Sequence, residues 1–240
     1  MSRYLDLLEK CLLNTIYGDP GQDPWSGATY HPELRQEGKD WPSLAHTMIG
    51  AKRLHQLRVA CETVIHEGVP GDFIEAGVWR GGACILMRAV LAEHHIVDRT
   101  VWCADSFAGL PRPSLPQDAH DPHHTFDALK VGLATVQDNF RHYDLLDDQV
   151  RFLPGWFKDT LPTAPIQSLA ILRLDGDMYE STIQALDALY HKVSSGGFVI
   201  VDDYALPNCR LAVEEFRAKH HLADKLQQID WGGVYWRKSA

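Results

Sequence analysis

The chain has no long hydrophobic run. Its longest apolar stretches reach about seven residues, where a helix that spans a bilayer needs roughly 20, and the opening Met1-Ser2-Arg3-Tyr4-Leu5-Asp6 lacks the apolar core of a signal peptide. No membrane partner is expected, and a cytoplasmic location is. Basic stripes are equally scarce, since 23 Lys and Arg stand against 32 Asp and Glu for a formal charge of −9 and an isoelectric point near 5.8. A nucleic acid would be repelled by that balance. Cysteine is sparse and odd in number, with Cys11, Cys61, Cys84, Cys103 and Cys209 and no C-x-x-C, which excludes a disulfide frame or a zinc site built on close pairs. Cys84 and Cys103 lie in apolar contexts and read as small core residues. There is no internal repeat, no low-complexity segment and no evident linker. With 240 residues and 45% apolar content, one α/β domain around one large core fits better than two.

What is present is an alternation of strand and helix patterns. Strands are expected at 72–77, 100–104, 150–153, 169–174 and 197–201, and helices at 49–67, 81–94, 126–143, 179–193 and 209–220. In the first helix, Leu54, Leu57, Cys61 and Val64 fall on one face. Such alternation implies right-handed crossovers and a doubly wound, mostly parallel sheet. The tail differs: 225–229 and 234–238, separated by Asp230-Trp231-Gly232-Gly233, read as a strand pair added antiparallel at one edge. Residues 18–44, rich in Pro, Gly, Asp and Trp, read as irregular.

Two aspartate clusters carry the chemistry. Asp175-Gly176-Asp177 follows the apolar run Leu169–Leu174, and Asp202-Asp203 follows Gly197–Val201, so both are expected at the carboxyl edge of one parallel sheet, where open α/β sheets bind ligands. Four carboxylates there without an adjacent lysine would repel one another, and a hard divalent cation is the usual remedy. Helix capping is the competing use for any single one of them. The first strand runs into Glu75-Ala76-Gly77-Val78-Trp79-Arg80-Gly81-Gly82, where Gly77 and Gly81 give G-x-x-x-G and not the G-x-G-x-x-G of a pyrophosphate clamp. Glu75 beside the glycine suits a cationic ligand instead. Asp105, before Ser106 and 28 residues after Gly77, is placed either to accept ribose hydroxyls or to cap a turn. Trp156 and Phe157, beside Gly155, are either a stacking platform for a purine or core aromatics. His120, His123 and His124 with Asp118 and Asp121 could be read as a metal site, but the stretch has proline and no apolar period, so it reads as a solvated loop, with a lid over the acceptor as the other use. Trp25 and Trp41 either cap the core or close over a substrate.

In combination these motifs resemble the macrocin O-methyltransferase family of antibiotic sugar methyltransferases, within the class I S-adenosylmethionine-dependent fold. The resemblance rests on Thr47-Met48-Ile49-Gly50, Phe73 to Gly82, Asp105-Ser106-Phe107-Ala108-Gly109-Leu110-Pro111, Gly155-Trp156-Phe157 with Thr160-Leu161-Pro162, Leu174 to Thr182, and Gly196 to Tyr204. It implies a Rossmann-like, seven-stranded sheet with an antiparallel C-terminal edge strand. It also implies a methyltransferase domain over 49–240 and an N-terminal segment, 1–48, that serves as lid, substrate contact and oligomer contact. A homo-oligomer is expected. The implied reaction is magnesium-dependent transfer of a methyl group to a deoxysugar hydroxyl on a macrolide- or aminocoumarin-type natural product. Carried over by position, Asp175, Asp202 and Asp203 become the Mg²⁺ ligands and Asp177 the base. Glu75 and Asp105 fall on the amino and ribose groups of the cofactor, Thr47, Met48 and Ile49 line its pocket, Gly77 and Gly81 let it approach the backbone, Trp156 lies near the adenine, and Ser106, Gly155 and Asp175 are counted with the cofactor-binding residues.

An aliphatic hydroxyl is a poor nucleophile near neutral pH, so a cation must lower its pKa and a base must take its proton. Asp177, two residues beyond Asp175, would share its face in an extended segment, and neighbouring carboxylates would raise its pKa. Related catechol methyltransferases carry a lysine base where this chain has Met178, which weakens a phenolic acceptor. A cell-surface glycan acceptor and a methyltransferase-like binding subunit without turnover are the other readings.

Overall fold

The computed structural model describes residues 2–239. In chain order the helices and strands are α1 (Arg3–Leu12), α2 (Pro32–Glu37), α3 (Gly50–His66), β1 (Asp72–Ala76), α4 (Gly82–Glu93), β2 (Val101–Asp105), α5 (Leu133–His142), β3 (Val150–Pro154), α6 (Phe157–Thr160), β4 (Leu169–Leu174), α7 (Tyr179–Leu189), β5 (Val193–Val201), α8 (Pro207–Lys219), β6 (Gln227–Gln228) and β7 (Val234–Arg237). The seven strands form one sheet in the order β3-β2-β1-β4-β5-β7-β6. Strands β1 to β5 pair parallel, and β7 pairs antiparallel with both β5 and β6. The strand pair expected at the C-terminus is therefore the antiparallel edge.

Side chains alternate across the sheet, so each strand feeds two cores. Phe73, Cys103 and Ile171 point to the side covered by α1, α3 and α4, and Ile74, Ala104 and Leu172 to the side covered by α7 and α8. Leu54, Leu57, Cys61 and Val64 are all buried in the first core, and Cys84 and Cys103 are buried there as well.

Three elements depart from the sequence reading. Helix α1 belongs to the first core: Ser2 Oγ accepts the Leu5 N–H at 3.3 Å, and Leu5, Leu8 and Leu12 pack on α3 and α4. Helix α2 lies inside the segment read as irregular, started by Pro32 and stopped by Gly38 at φ 64°. The helix expected from residue 126 begins only at Leu133, because Gly132 is extended (φ −71°, ψ 150°) and the chain before it folds into 3₁₀ turns at His123–Thr125 and Asp127–Leu129.

The strand order reverses between β1 and β4, which opens a crevice at their carboxyl ends. Gly77, at φ 94°, leaves β1 there, and any side chain on it would run into the Asp175 carbonyl. Only glycine lets the two loops meet.

Candidate active site

Strands β4 and β5 are paired in register, with Leu174 beside Val201, so Asp175 and Asp202-Asp203 leave the sheet side by side. Carboxylate oxygens of Asp175, Asp202 and Asp203 lie within 4.8 Å of one another. Asp177 arrives differently. It adopts φ 57°, and the Met178 N–H turns back to donate to the Gly176 carbonyl at 2.6 Å, so the segment is not extended and strand alternation does not place this side chain. A left-handed turn does, and it lets the Asp177 N–H donate to Asp203 Oδ2 at 3.0 Å.

The charge reasoning from sequence also needs correction, because two buried arginines reach the cluster. Arg173, one residue before the end of β4, donates through Nη1 to Glu75 and to Asp175 Oδ2 (2.6 Å) and through Nη2 to Asp202. Arg53 of α3 donates to Asp202 and, through Nε, to Asp230 at 3.1 Å. The signal in the sequence was a charge inside an apolar strand, which is rarely buried unless paired. Among the described residues, these two guanidinium groups pair with Glu75, Asp175, Asp202 and Asp230, and Asp177 and Asp203 add two further carboxylates. The surplus shows in the proton affinities. Burial pushes Asp177 up to about 7, opposed by His123 and helped by Asp175. Burial likewise raises Asp202 to about 6 and Glu75 to about 7, although Arg173 pulls both down. Among the described residues Asp203 has no guanidinium partner, and it is raised well above the usual carboxylate range by burial and by its neighbours Asp177, Asp175 and Asp202. A surplus of buried negative charge and three converging oxygen donors fit a hard divalent cation.

Above this floor opens a cavity of about 660 Å³. Of the residues expected to hold a cofactor, Met48, Gly77, Asp105, Ser106, Gly155 and Trp156 line it together with the aspartates. Thr47, Ile49, Glu75 and Gly81 do not reach the wall. Thr47 Oγ1 accepts the Ile49 N–H and Ile49 is core, Glu75 is held from behind by Arg173 and the Cys84 thiol, and Gly81 faces Val136 of α5. Asp105 combines both uses left open by the sequence. Its Oδ2 accepts the Val78 N–H at 2.8 Å and its Oδ1 the Phe107 N–H at 2.7 Å, yet it stands on the cavity wall. Five of the seven tryptophans, at 25, 41, 79, 156 and 231, line the same space. Trp41 packs edge-on against Trp25 at 5.0 Å and Phe126 at 5.1 Å. Trp25 and Trp41 thus line the cavity and are in neither core cluster.

The stretch read as a solvated loop is docked. Asp118 is fully buried. Its carboxylate accepts the N–H groups of Tyr179 (2.8 Å) and Glu180 (2.9 Å) and the Asn208 amide (3.2 Å), so it caps α7 from another part of the chain. Sequence order could not show this cap, since residue 118 is 61 positions from Tyr179. Asp121, nearly as buried, holds His123, and the ring of His123 lines the cavity.

Arg53 binds three parts of the wall. Besides Asp202 and Asp230 it donates to the Gly38 carbonyl at 3.2 Å and lies 5.4 Å from the Trp231 ring. Trp231 Nε1 in turn donates to the Glu37 carbonyl at 2.7 Å.

Comparison with known proteins agrees with this geometry. Residues 1–238 match the family model for macrocin O-methyltransferase (TylF). The chain is 56% identical to the demethyldecarbamoylnovobiocin O-methyltransferase of Streptomyces niveus, over 99% of this chain and 94% of that one. It is 51% identical to the mycinamicin III 3''-O-methyltransferase of Micromonospora griseorubida, over 99% and 96%. The solved structure of the O-methyltransferase NovP superposes with a TM-score of 0.95 at 56% identity, covering 99% of this chain and 98% of that one. The calicheamicin methyltransferase CalS11, at 16% identity and a TM-score of 0.65 over 99% and 93%, shares the fold. By full-length match and identity, the chain belongs to the macrocin O-methyltransferase family and is an O-methyltransferase.

Proposed function

We propose that the protein transfers the methyl group of S-adenosylmethionine to a hydroxyl of a deoxysugar on a macrolide- or aminocoumarin-type natural product, with Mg²⁺ at Asp175, Asp202 and Asp203 and with Asp177 as base. The observation that carries this reading is the convergence of three carboxylate oxygens from adjacent strand ends beneath a tryptophan-lined cavity. Bound Mg²⁺ would lower the pKa of an acceptor hydroxyl, and S-adenosylmethionine supplies an activated methyl. The chain's own residues do the rest. Asp177, raised toward neutrality by burial, takes the hydroxyl proton, for which a base poised near the working pH is best. Asp105 accepts the ribose hydroxyls, Met48, Gly77, Ser106 and Gly155 shape the cofactor wall, and Trp156, exposed to the cavity, covers the adenine. Glu75 acts from behind the wall and receives no direct contact.

Residues 18–44 serve as a lid, since Trp25 and Trp41 line the cavity from that segment. The same N-terminal region, with Leu7 and Tyr17 exposed, is assigned the oligomer contact of a cytoplasmic homo-oligomer. Among the described residues, no helix is long and apolar enough to cross a membrane.

The test is methyl transfer from labelled S-adenosylmethionine to demethyldecarbamoylnovobiocin or mycinamicin III. Transfer that stops in EDTA and returns with Mg²⁺ is expected. Full activity in EDTA overturns the metal assignment, and transfer to a catechol but to neither glycoside overturns the sugar assignment.

A further inference from the structure

We propose that His123 binds the acceptor, its Nε2 hydrogen-bonded to an acceptor hydroxyl other than the one that is methylated. The inference rests on the sugar O-methyltransferase reading above and adds a specificity-determining residue to it.

The ring is built into the wall. Asp118, buried at the start of α7, anchors the loop next to the 175–177 turn, and the Asp121 N–H donates to the Asp118 carbonyl at 2.8 Å. Asp121 Oδ1 then accepts both the His123 backbone N–H at 2.8 Å and its Nδ1–H at 2.9 Å, with Oδ2 at 3.1 Å from the same ring nitrogen. The backbone bond alone would suffice to close this turn. The ring bonds do something else, because they fix the orientation and tautomer of the imidazole. With Nδ1–H given to the carboxylate, Nε2 faces away from Asp121, where it can accept a hydroxyl hydrogen when the ring is neutral or donate to the hydroxyl oxygen when it is protonated. Among the described residues, Nε2 of His123 has no hydrogen-bond partner.

The ring also cannot swing away easily. Phe126 lies 6.2 Å from it, tilted by 51°, and is backed by Trp41 at 5.1 Å. His123 therefore joins the aromatic wall of Phe126 and Trp41 on a loop anchored beside the 175–177 turn. The floor positions the reacting hydroxyl, so a fixed hydrogen-bonding group elsewhere on the wall meets a different part of the same sugar. A wall that hydrogen-bonds one hydroxyl rejects the analogue lacking it much more strongly than an apolar wall rejects a misplaced methyl.

The test compares wild type, His123→Ala and His123→Gln on whichever glycoside wild type methylates and on its singly deoxygenated sugar analogues. His123→Ala should raise the acceptor KM roughly tenfold, the scale of one good hydrogen bond, with kcat changed less than about threefold and S-adenosylhomocysteine affinity by calorimetry unchanged. His123→Gln, whose amide can accept or donate the same bond, should restore most of the loss. One deoxy analogue should be insensitive to His123→Ala. An unchanged KM in His123→Ala, or equal losses on every analogue, overturns the role of His123 alone. Failure of wild type to methylate any glycoside while it still binds S-adenosylhomocysteine overturns the functional reading and this inference with it.

Discussion

Asp175 and Asp177 are two residues apart, but their surroundings give them different work. Asp175 is gripped by Arg173 at 2.6 Å and converges with Asp202 and Asp203. Asp177 has no guanidinium partner among the described residues, and its backbone N–H already serves Asp203. Substituting Asp177→Asn keeps that backbone bond and the side-chain shape but removes proton acceptance. Turnover should fall by roughly 10² to 10⁴, while S-adenosylhomocysteine and Mg²⁺ affinities, read by calorimetry, stay near wild type. Asp175→Asn should instead lose Mg²⁺ affinity and turnover together. Wild-type turnover in Asp177→Asn would remove it as the base. The aspartates were legible in the sequence because each ends an apolar run. Their arginine partners were not. Arg53 comes from α3 and meets Asp202 across 149 residues, and Arg173 was hidden inside the very pattern that identified its strand.

The elements that frame the site were legible wherever local periodicity decided them. Strands β1 to β5 and helices α3, α4, α7 and α8 appear within a few residues of their expected positions, since each buries an apolar face against its neighbour. Elements fixed by partners distant in sequence were missed. The 3₁₀ turns before α5 lead to Phe126, whose ring packs on Trp41 at 5.1 Å, a partner that no pattern within 118–130 contains. Asp118 makes the same point energetically. It supplies the N-cap that Met178, an apolar residue at that position of α7, does not. Asp118→Ala should cost about 1 to 2 kcal/mol, the upper range for a lost cap, measured by urea denaturation. The amides of Tyr179 and Glu180 should lose hydrogen-exchange protection before the rest of α7. Unchanged protection there would show that the cap contributes nothing to the helix start.

Across the whole molecule, acid should loosen the N-terminal region before the sheet. His46 Nδ1 lies 2.8 Å from the Tyr143 hydroxyl, tying the segment before α3 to the end of α5, and burial pulls its pKa from 6.5 down to about 4. The folded protein thus resists a proton that the unfolded chain accepts, so this contribution is whole above pH 6.5 and fades as the pH falls toward 4. It amounts to about 1 to 3 kcal/mol. Denaturation midpoints followed from pH 7.5 to 4.5 should fall more steeply in wild type than in His46→Leu, and parallel slopes would clear His46 of the effect. A different consequence follows from Arg53, whose one side chain touches Asp202, the Gly38 carbonyl, Asp230 and Trp231. The N-terminal wall and the C-terminal hairpin are not independent parts for an engineer to exchange. A chimera that imports residues 18–44 from a relative, in order to change which glycoside is accepted, must import the matching turn around Asp230 and Trp231 as well, or it will put at risk the Gly38 carbonyl that Arg53 uses and the Glu37 carbonyl that Trp231 uses, and disturb Asp202 from a distance.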